Sequence, residues 1–135
     1  MSKGIPSISS FMTTSPHTIG KDQPLAVAHG MMREHQIRHL PVLEGNALVG
    51  VISDRDVALI EALSGVDPKT VRVEDAMTQD VLTVGPDAPI ADVVGEMASR
   101  QAGSAVIMQN HQVVGIFTAI DAMDALVKLL HTRLK

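Results

Sequence analysis

The sequence predicts an α/β (α+β) fold built from two β-α-β-β-α repeats that pack about a pseudo-twofold axis. The first observation behind this prediction is an internal repeat: the chain of 135 residues matches itself when it is shifted by 65 positions, which places Met12 over Met77. The second is that both copies carry the same succession of strand and helix signals. Because one copy alone has little core, we expect the two copies to pack sheet against sheet.

The repeat runs without a gap over residues 12–57 and 77–122. Several of its identical pairs are residues that break or cap secondary structure, namely Thr18/Thr83, Gly20/Gly85, Asp22/Asp87, Pro24/Pro89, Gly50/Gly115 and Asp56/Asp121. We assign the first repeat to residues 7–64, the second to residues 75–130, and the linker to residues 65–74, where Gly65 and Pro68 interrupt regular structure.

Each repeat opens with an extended segment around Thr18 or Thr83. An Asp-x-Pro signal follows and predicts a helix start, because proline fits the first turn of a helix. Apolar spacing then predicts helices over residues 25–36 and 90–100. The remaining predicted elements are two hairpins, with turns at 44–46 and 109–111, and two second helices, over 54–63 and 119–130.

Composition argues against several classes of protein. The net charge is −4, and the sequence contains two Phe but no Trp or Tyr. Because nucleic-acid-binding surfaces are usually basic and often use aromatic side chains to stack on bases, this composition disfavours such a surface. Because the sequence has no cysteine, it forms neither disulfides nor thiolate metal sites. The N-terminal residues do not form a secretion signal, so we expect a soluble protein of the cytoplasm.

One uncharged run, residues 101–120, reaches the length of a membrane span. Its centre consists of Gln109, Asn110, His111 and Gln112, which would be costly in lipid. Two strands joined by a polar turn explain the run better, so we expect no membrane partner.

His35 and His39 stand four residues apart, as in the zinc helix of metalloproteases. Gln36 occupies the place of the carboxylate which that chemistry requires, and Pro41 predicts that the helix ends near Ile37. We therefore expect the two histidines to lie on different elements, and we reject a zinc hydrolase.

The strongest short motif is the junction after each hairpin, Gly-apolar-x-Ser/Thr-x-x-Asp. It reads GVISDRD at residues 50–56 and GIFTAID at residues 115–121. A hydroxyl followed three residues later by an acid is close to a helix capping box, which is a purely structural role. The same groups, beside free backbone N–H groups, can also grip a ribose diol and attract phosphate. From the residues alone, both interpretations stand.

With this motif closing each repeat, residues 7–130 resemble a tandem cystathionine-β-synthase (CBS) domain pair, or Bateman module, of the stand-alone bacterial kind. The resemblance implies a regulatory module that needs no cofactor and binds adenosyl ligands in two clefts between the repeats. AMP, ADP and ATP are the first candidates, and NAD and S-adenosylmethionine are the next. The sequence shows no nucleophile–base pair or phosphate loop, so we expect no enzyme activity.

The resemblance also implies roles for individual residues. Those it assigns to the first cleft are Ser53 and Asp56 for the ribose, Val51 for the adenine, and Leu82 and Ala102 from the second repeat. Those it assigns to the second cleft are Thr118 and Asp121 for the ribose, Ile116 for the adenine, and His17 and Ile37 from the first repeat.

Phosphate recognition is expected mainly in the first cleft. Arg38 and His39 stand just before the h-Pro-Val motif, where the family often places a basic side chain, and Arg55 adds a third cation at the helix start. The second repeat has Gly103 and Ser104 at the positions of Arg38 and His39.

The second helices carry apolar stripes, formed by Ala122, Leu126, Leu129 and Leu130 in the last helix and, more weakly, by Val57, Ile60 and Leu63. Because family members commonly pair such helices, we expect a homodimer, together with an unidentified protein target. The competing hypothesis is a ligand-independent oligomerisation or protein-interaction module, in which both acids only cap helices.

Overall fold

The computed structural model describes residues 5–133. They form two compact units, and these units do not coincide with the sequence repeats. Unit 1 contains the described parts of residues 1–15 and 82–135, and unit 2 contains residues 16–81.

The elements in chain order are a 3-10 turn Ile8–Ser10, β1 Thr13–Thr14, β2 Ile19–Gly20, α1 Leu25–His35, β3 His39–Glu44, β4 Ala47–Ser53, α2 Asp54–Glu61, α3 Val73–Ala76, β5 Thr83–Val84, α4 Ile90–Arg100, β6 Ser104–Gln109, β7 Gln112–Thr118 and α5 Ala119–Arg133. The predicted fold class is confirmed, because each copy contains the order β-α-β-β-α. Within the described chain, no helix has the length and apolar character needed to cross a membrane.

The sheet of unit 2 has the order β2-β3-β4. Strand β2 pairs parallel with β3, and the hairpin of β3 and β4 is antiparallel. The helices α1, α2 and α3 cover this sheet through buried side chains that include Leu25, Met32, Val57 and Val73. The apolar spacing of the sequence therefore marks the face of each helix that packs on the sheet.

The sheet of unit 1 has the order β1-β7-β6-β5. Its core brings together Ile8, Val93 and Phe117, with Ala125 from α5. Phe117 is fully buried, and it is the largest of the side chains that are less than 2% exposed. The two cores are separate clusters, one in each unit.

Two short segments, residues 12–14 and residues 77–78, explain why the units differ from the repeats; we call them the Met-Thr segments. Thr13 and Thr14 lie near the start of the first repeat but pair antiparallel with Ile116 and Gly115 of β7, so they belong to unit 1. In the same way, Thr78 lies near the start of the second repeat but exchanges two backbone hydrogen bonds with Val51 of β4 in unit 2. The last strand of each repeat is thus joined by a segment from the start of the other repeat.

Three details differ from the sequence-based expectations. Helix α2 ends at Glu61 and α5 continues to Arg133, because helix ends depend on local packing more than on spacing. The end of the predicted linker forms α3, whose Val73 is fully buried. Val57, predicted to belong to an intermolecular stripe, instead packs in the core of unit 2, because its face of α2 points to the sheet.

Candidate functional site

The junction between β4 and α2 in unit 2 is a complete capping box. The Ser53 backbone N–H donates to Asp56 Oδ2 at 3.0 Å, and the Asp56 N–H donates to Ser53 Oγ at 3.1 Å. Both side chains are half-buried, so they remain accessible at the start of the helix. Ser53 and Asp56 therefore do cap the helix, which is one of the two roles that the sequence suggested for them. The cap uses only one of the two carboxylate oxygens of Asp56.

The junction between β7 and α5 in unit 1 repeats this geometry. The Thr118 N–H donates to Asp121 Oδ2 at 2.9 Å, and the Asp121 N–H donates to Thr118 Oγ1 at 3.3 Å. Two hydroxyl–carboxylate pairs thus stand at matching helix starts, one in each unit. Each pair presents an alcohol oxygen and an anionic oxygen within one helical turn, an arrangement that can accept hydrogen bonds from a diol.

The start of β3 lies directly beside the junction of unit 2. His39 stands opposite Ser53 in the β3–β4 register, and the Asp54 N–H donates to the carbonyl of Arg38 at 2.9 Å. The chain reaches this place because α1 ends at Gln36, which adopts a left-handed conformation with φ of 54°. Arg38 and His39 are therefore held at the same end of the sheet as Ser53 and Asp56.

The corresponding place in unit 1 has the same backbone and different side chains. Gln101 ends α4 with φ of 54°, Ser104 stands opposite Thr118, and the Ala119 N–H donates to the carbonyl of Gly103 at 3.1 Å. Gly103 supplies no cation where unit 2 has Arg38. The two junctions thus share their geometry and differ in charge.

Two arginines, Arg38 and Arg55, lie near the junction of unit 2, together with Asp54 and Asp56. The side chain of Arg38 is 71% exposed and its Nε lies 3.9 Å from Asp54 Oδ2, so this ion pair is loose and screened by water. Arg55, in the first turn of α2, is also exposed. Both guanidinium groups are therefore exposed to solvent near the start of α2.

A cavity of about 490 Å³ opens between α1 and α2 in unit 2. Among the residues that the sequence assigned to ligand binding, Ile37 and Arg38 line it. Its floor is apolar, with Met32 and Val57, and the pair of His29 Nδ1 and Glu61 Oε2, 2.8 Å apart, bridges the two helices at its rim.

The residues assigned to the adenine lie deeper than those assigned to the ribose. Val51, Leu82 and Ile116 are each no more than 7% exposed, and Ala102 is half-buried. Val51 and Ile116 occupy matching places in β4 and β7, two residues before the hydroxyl residue that ends each strand.

His17 lies in the segment before β2, where its ring stacks on that of His35 with a centroid distance of 3.7 Å and an interplanar angle of 13°. Sequence spacing did not predict this contact, because the two residues lie 18 positions apart on different segments, one before β2 and the other at the end of α1. His35 ends α1 and His39 begins β3, which confirms that they lie on different elements. Among residues 5–133, no three His, Asp or Glu side chains are grouped to hold a metal ion.

Comparison with known proteins places this geometry in a family. Residues 8–62 and 73–128 each match the CBS domain family model. The CBS domain-containing protein YhcV of Bacillus subtilis is 30% identical over 110 residues, which cover 82% of this chain and 78% of YhcV.

Solved structures agree with the sequence match. The CBS domain pair of protein MJ0100, in complex with 5′-methylthioadenosine and S-adenosyl-L-methionine, superposes with a TM-score of 0.83 at 25% identity and covers 92% of this chain and 98% of its own. A hexameric CBS-CP12 protein from bloom-forming cyanobacteria gives a TM-score of 0.80 at 26% identity, covering 89% and 71%. This chain, with its duplicated strand-to-helix junction, therefore belongs to the CBS domain family and contains two CBS domains in tandem.

Proposed function

We propose that this protein is a regulatory module that senses an adenosyl ligand and has no catalytic activity of its own. AMP, ADP and ATP are the first candidates, and NAD and S-adenosylmethionine are the alternatives. The observation that carries the proposal is the pair of hydroxyl–carboxylate junctions with matching geometry, Ser53–Asp56 and Thr118–Asp121. The adenosyl compounds bound to the MJ0100 pair support this choice of ligand class.

In the proposed mode of binding, each aspartate accepts a hydrogen bond from a ribose hydroxyl while it continues to cap its helix. A carboxylate has two oxygens and several lone pairs, so the two roles are compatible. The apolar side chains of Val51 and Ile116 next to the junctions suit an adenine ring, and the remaining assigned residues (Leu82, Ala102, His17 and Ile37) complete the proposed sites.

The two sites are proposed to differ in their preference for phosphate. Arg38, His39 and Arg55 surround the start of α2, and a guanidinium group donates a forked pair of hydrogen bonds to phosphate oxygens. The positions that match them in the second copy are Gly103, Ser104 and Ile120. The site at Asp121 should therefore tolerate a neutral adenosine, whereas the site at Asp56 should favour a nucleotide.

We also propose that the protein acts as a homodimer in the cytoplasm, where its ligand-dependent state is read by a protein target. Exposed apolar side chains on α5 support the homodimer, because large exposed apolar patches mark interaction surfaces. The hexameric state of the CBS-CP12 relative is an example of self-association in the family.

A ligand-independent oligomerisation module is the second candidate. The observation that favours it is that both aspartates complete capping boxes, a structural role that requires no ligand. Under this hypothesis the aspartates contribute to stability alone, and no adenosyl compound binds.

Thermal unfolding with a panel of AMP, ADP, ATP, NAD, S-adenosylmethionine and adenosine separates the two candidates. A compound present at about 100 times its Kd stabilises the fold by about 2.7 kcal/mol, which corresponds to a rise in Tm of roughly 10 °C for a chain of this size. The double variant Asp56→Ala/Asp121→Ala should lose about half of this rise or more, because a 10- to 100-fold weaker affinity leaves the compound at only about 1–10 times its Kd. Asp75→Ala is the matched control, because the Asp75 carboxylate accepts the Arg72 N–H in α3, away from both junctions.

Losing a cap also lowers stability by about 1 kcal/mol, so the quantity to compare is the ligand-induced shift in Tm rather than the Tm itself. In calorimetry, each single variant should weaken binding at one site about 10- to 100-fold. If no compound in the panel shifts the Tm of the parent protein, the oligomerisation module is the better description.

A further inference from the structure

The cavity between α1 and α2 in unit 2 has basic residues on one side and acidic residues on the other. The α1 side contributes Arg33 and, from the turn that follows the helix, Arg38, whereas the α2 side contributes Asp54 and Glu61. We call this cavity the α1–α2 cavity. A ligand that carried charge of only one sign would be attracted by one side and repelled by the other, so the cavity suits a ligand that carries both signs.

The two ends of α2 differ in how their charges are used. At the start of the helix, Arg38 Nε lies 3.9 Å from Asp54 Oδ2, which is longer than a hydrogen bond. At the end of the helix, Glu61 Oε2 lies 2.8 Å from His29 Nδ1, so these two side chains are already hydrogen-bonded to each other. The donors of Arg38 and the acceptors of Asp54 therefore remain available to a ligand at the first end.

The second copy of the repeat shows that the fold does not need these charges. The five ionisable residues that line the cavity, His29, Arg33, Arg38, Asp54 and Glu61, correspond to Val94, Ala98, Gly103, Ala119 and Leu126. None of these five counterparts is charged, and α4 and α5 still pack on the core of unit 1. The apolar floor, in contrast, is present in both copies, since Met32 corresponds to the buried Met97. The charges are thus specific to unit 2 and have a role other than holding the two helices together.

A small side chain on α2 contributes to the free space of the cavity. Ala58 lines the cavity, and the second copy has Met123 at the matching position. The volume of about 490 Å³ lies within the range of small-molecule sites in proteins, about 300–1,000 Å³. The α1–α2 cavity can therefore hold a small molecule.

An α-amino acid with an aliphatic side chain matches both the charges and the floor. Its carboxylate can accept a forked pair of hydrogen bonds from the guanidinium group of Arg38, and its ammonium group can donate to the carboxylate of Asp54. Both charges of an amino acid are attached to the same carbon atom, so they fit between Arg38 and Asp54 at one end of the cavity. The aliphatic side chain then contacts the apolar floor formed by Met32 and Val57.

We propose that the α1–α2 cavity of unit 2 is a second ligand site, which binds a free α-amino acid with an aliphatic side chain between Arg38 and Asp54. This site goes beyond the proposed function, which concerns adenosyl ligands at the two hydroxyl–carboxylate junctions. Asp54 and Ala58 have no part in the proposed nucleotide sites, so variants at these two positions test the cavity separately.

Titration with L-leucine, followed by the NMR shifts of backbone amides, tests the site directly. Saturable shifts are expected in α1 and α2 of unit 2. Three further probes each lack one feature of leucine: 4-methylpentanoate has no ammonium group, 3-methylbutylamine has no carboxylate, and glycine has no side chain. Each should bind about fivefold or more weakly than leucine, because it loses either a partly exposed charge-assisted hydrogen bond or an apolar contact.

Two variants with matched controls assign the binding to the cavity. Ala58→Met introduces the residue of the second copy, fills the cavity and should weaken leucine binding about tenfold or more. Ala62→Met, which lies just after α2 and outside the cavity, should bind leucine like the parent protein. Asp54→Asn should weaken the binding of leucine about fivefold without weakening that of 4-methylpentanoate, which has no ammonium group. Asp92→Asn, in the first turn of α4, is its control.

Several results would overturn the inference. These are an absence of saturable shifts with leucine, equal affinities for leucine and 4-methylpentanoate, and an Ala58→Met variant that binds leucine like the parent protein. Loss of leucine binding only in the double variant Asp56→Ala/Asp121→Ala would place the amino acid at the proposed nucleotide sites and would also overturn it. Nucleotide titrations of the parent protein and Ala58→Met keep the proposed function separate, because nucleotide binding does not depend on the result with leucine.

Discussion

At the scale of single residues, Gly50 and Gly115 are required by the Met-Thr segments that cross over them. A Cβ atom at Gly50 would lie 2.6 Å from Met77 Sδ and 2.8 Å from the Thr78 carbonyl oxygen. At Gly115 it would lie 2.5 Å from Met12 Sδ and 3.1 Å from the Thr13 carbonyl oxygen. Each glycine of the junction motif therefore allows a strand to approach closely, in addition to any role near a ligand.

Gly50→Ala should destabilise the protein by about 1–3 kcal/mol, because the new methyl group meets backbone as well as a side chain. Gly115→Ala should cost less, since the backbone oxygen is farther away and the Met12 side chain can move. Gly30→Ala and Gly95→Ala are the controls: both glycines lie inside helices with nothing within 4 Å, so alanine should stabilise by about 0.5–1 kcal/mol. Urea unfolding measures all four, and equal effects at positions 50 and 30 would contradict this explanation.

Arg38 is the residue whose replacement should change ligand preference. In the parent protein, calorimetry should show tighter binding of AMP than of adenosine at the Asp56 site. Arg38→Ala should reduce this preference about 10-fold or more, because a charge-assisted hydrogen bond contributes about 1.5–3 kcal/mol. Arg72→Ala removes an exposed arginine elsewhere in unit 2 and should leave the preference unchanged. An unchanged preference in Arg38→Ala would remove Arg38 from the proposed site.

At the scale of elements, the segment around α3 belongs to the fold of unit 2. The Leu25 N–H donates to the Val71 carbonyl at 2.8 Å, and the Val73 N–H donates to the Gln23 carbonyl at 2.9 Å. Val73 is fully buried. Glu74 in α3 also forms an ion pair, because its Oε2 lies 3.5 Å from Lys21 Nζ, which in turn lies 3.2 Å from Glu44 Oε2. The segment therefore holds the start of α1 and cannot act as a flexible spacer.

Val73→Ala should lower the free energy of unfolding by about 2 kcal/mol, through lost apolar burial and the cavity that remains. Val27→Ala is the matched control, because Val27 is 40% exposed on α1 and its truncation should cost far less. A difference near zero in denaturant unfolding would show that the segment is not part of the cooperative unit.

Lys21 should give this region a pH dependence at alkaline pH. Its pKa is raised above the ordinary value of 10.5, first by the hydrogen bond and charge of Glu44 and then by Glu74. Because the folded pKa is raised, the stability from Lys21 is fully present below pH 10.5 and is lost as pH rises through the higher folded value. Lys21→Met should therefore flatten the alkaline fall in Tm, whereas an identical fall in both proteins would assign it to other groups.

At the scale of the whole molecule, the two copies have kept one fold and diverged in surface chemistry. Unit 2 carries Arg38 and Arg55 near its junction and a charged α1–α2 face, whereas unit 1 has Gly103 and Ile120 at the matching positions and exposes apolar side chains on α5. In the proposed function, one copy provides the phosphate preference and the other provides the dimer contact.

Light scattering at micromolar concentration should give twice the chain mass of 14.4 kDa. Val127→Asp should shift the protein to the monomer, because it places a carboxylate inside the apolar contact. Ala62→Asp, at the matching position of the first copy, should leave the mass unchanged. A parent protein that is monomeric throughout would contradict the homodimer.

The sequence by itself determined the duplication, the order of the elements and the position of both junction motifs. These features are local: apolar spacing sets helix faces, Asp-x-Pro sets helix starts, and Ser53 and Asp56 lie within one turn of each other. It also determined that Arg38 and His39 have no basic counterparts in the second copy, since this is a comparison of letters at matching positions.

Only the tertiary structure decided how distant segments pair. The association of Thr13 with Ile116 and of Val51 with Thr78, the stacking of His17 on His35, and the burial of Val73 depend on backbone hydrogen bonds and packing between residues far apart in the chain. Periodicity carries no information about such pairs, because it records only which face of an element is apolar and not which surface covers it. For the same reason the sequence placed Val57 in an intermolecular stripe, whereas the core of unit 2 covers it.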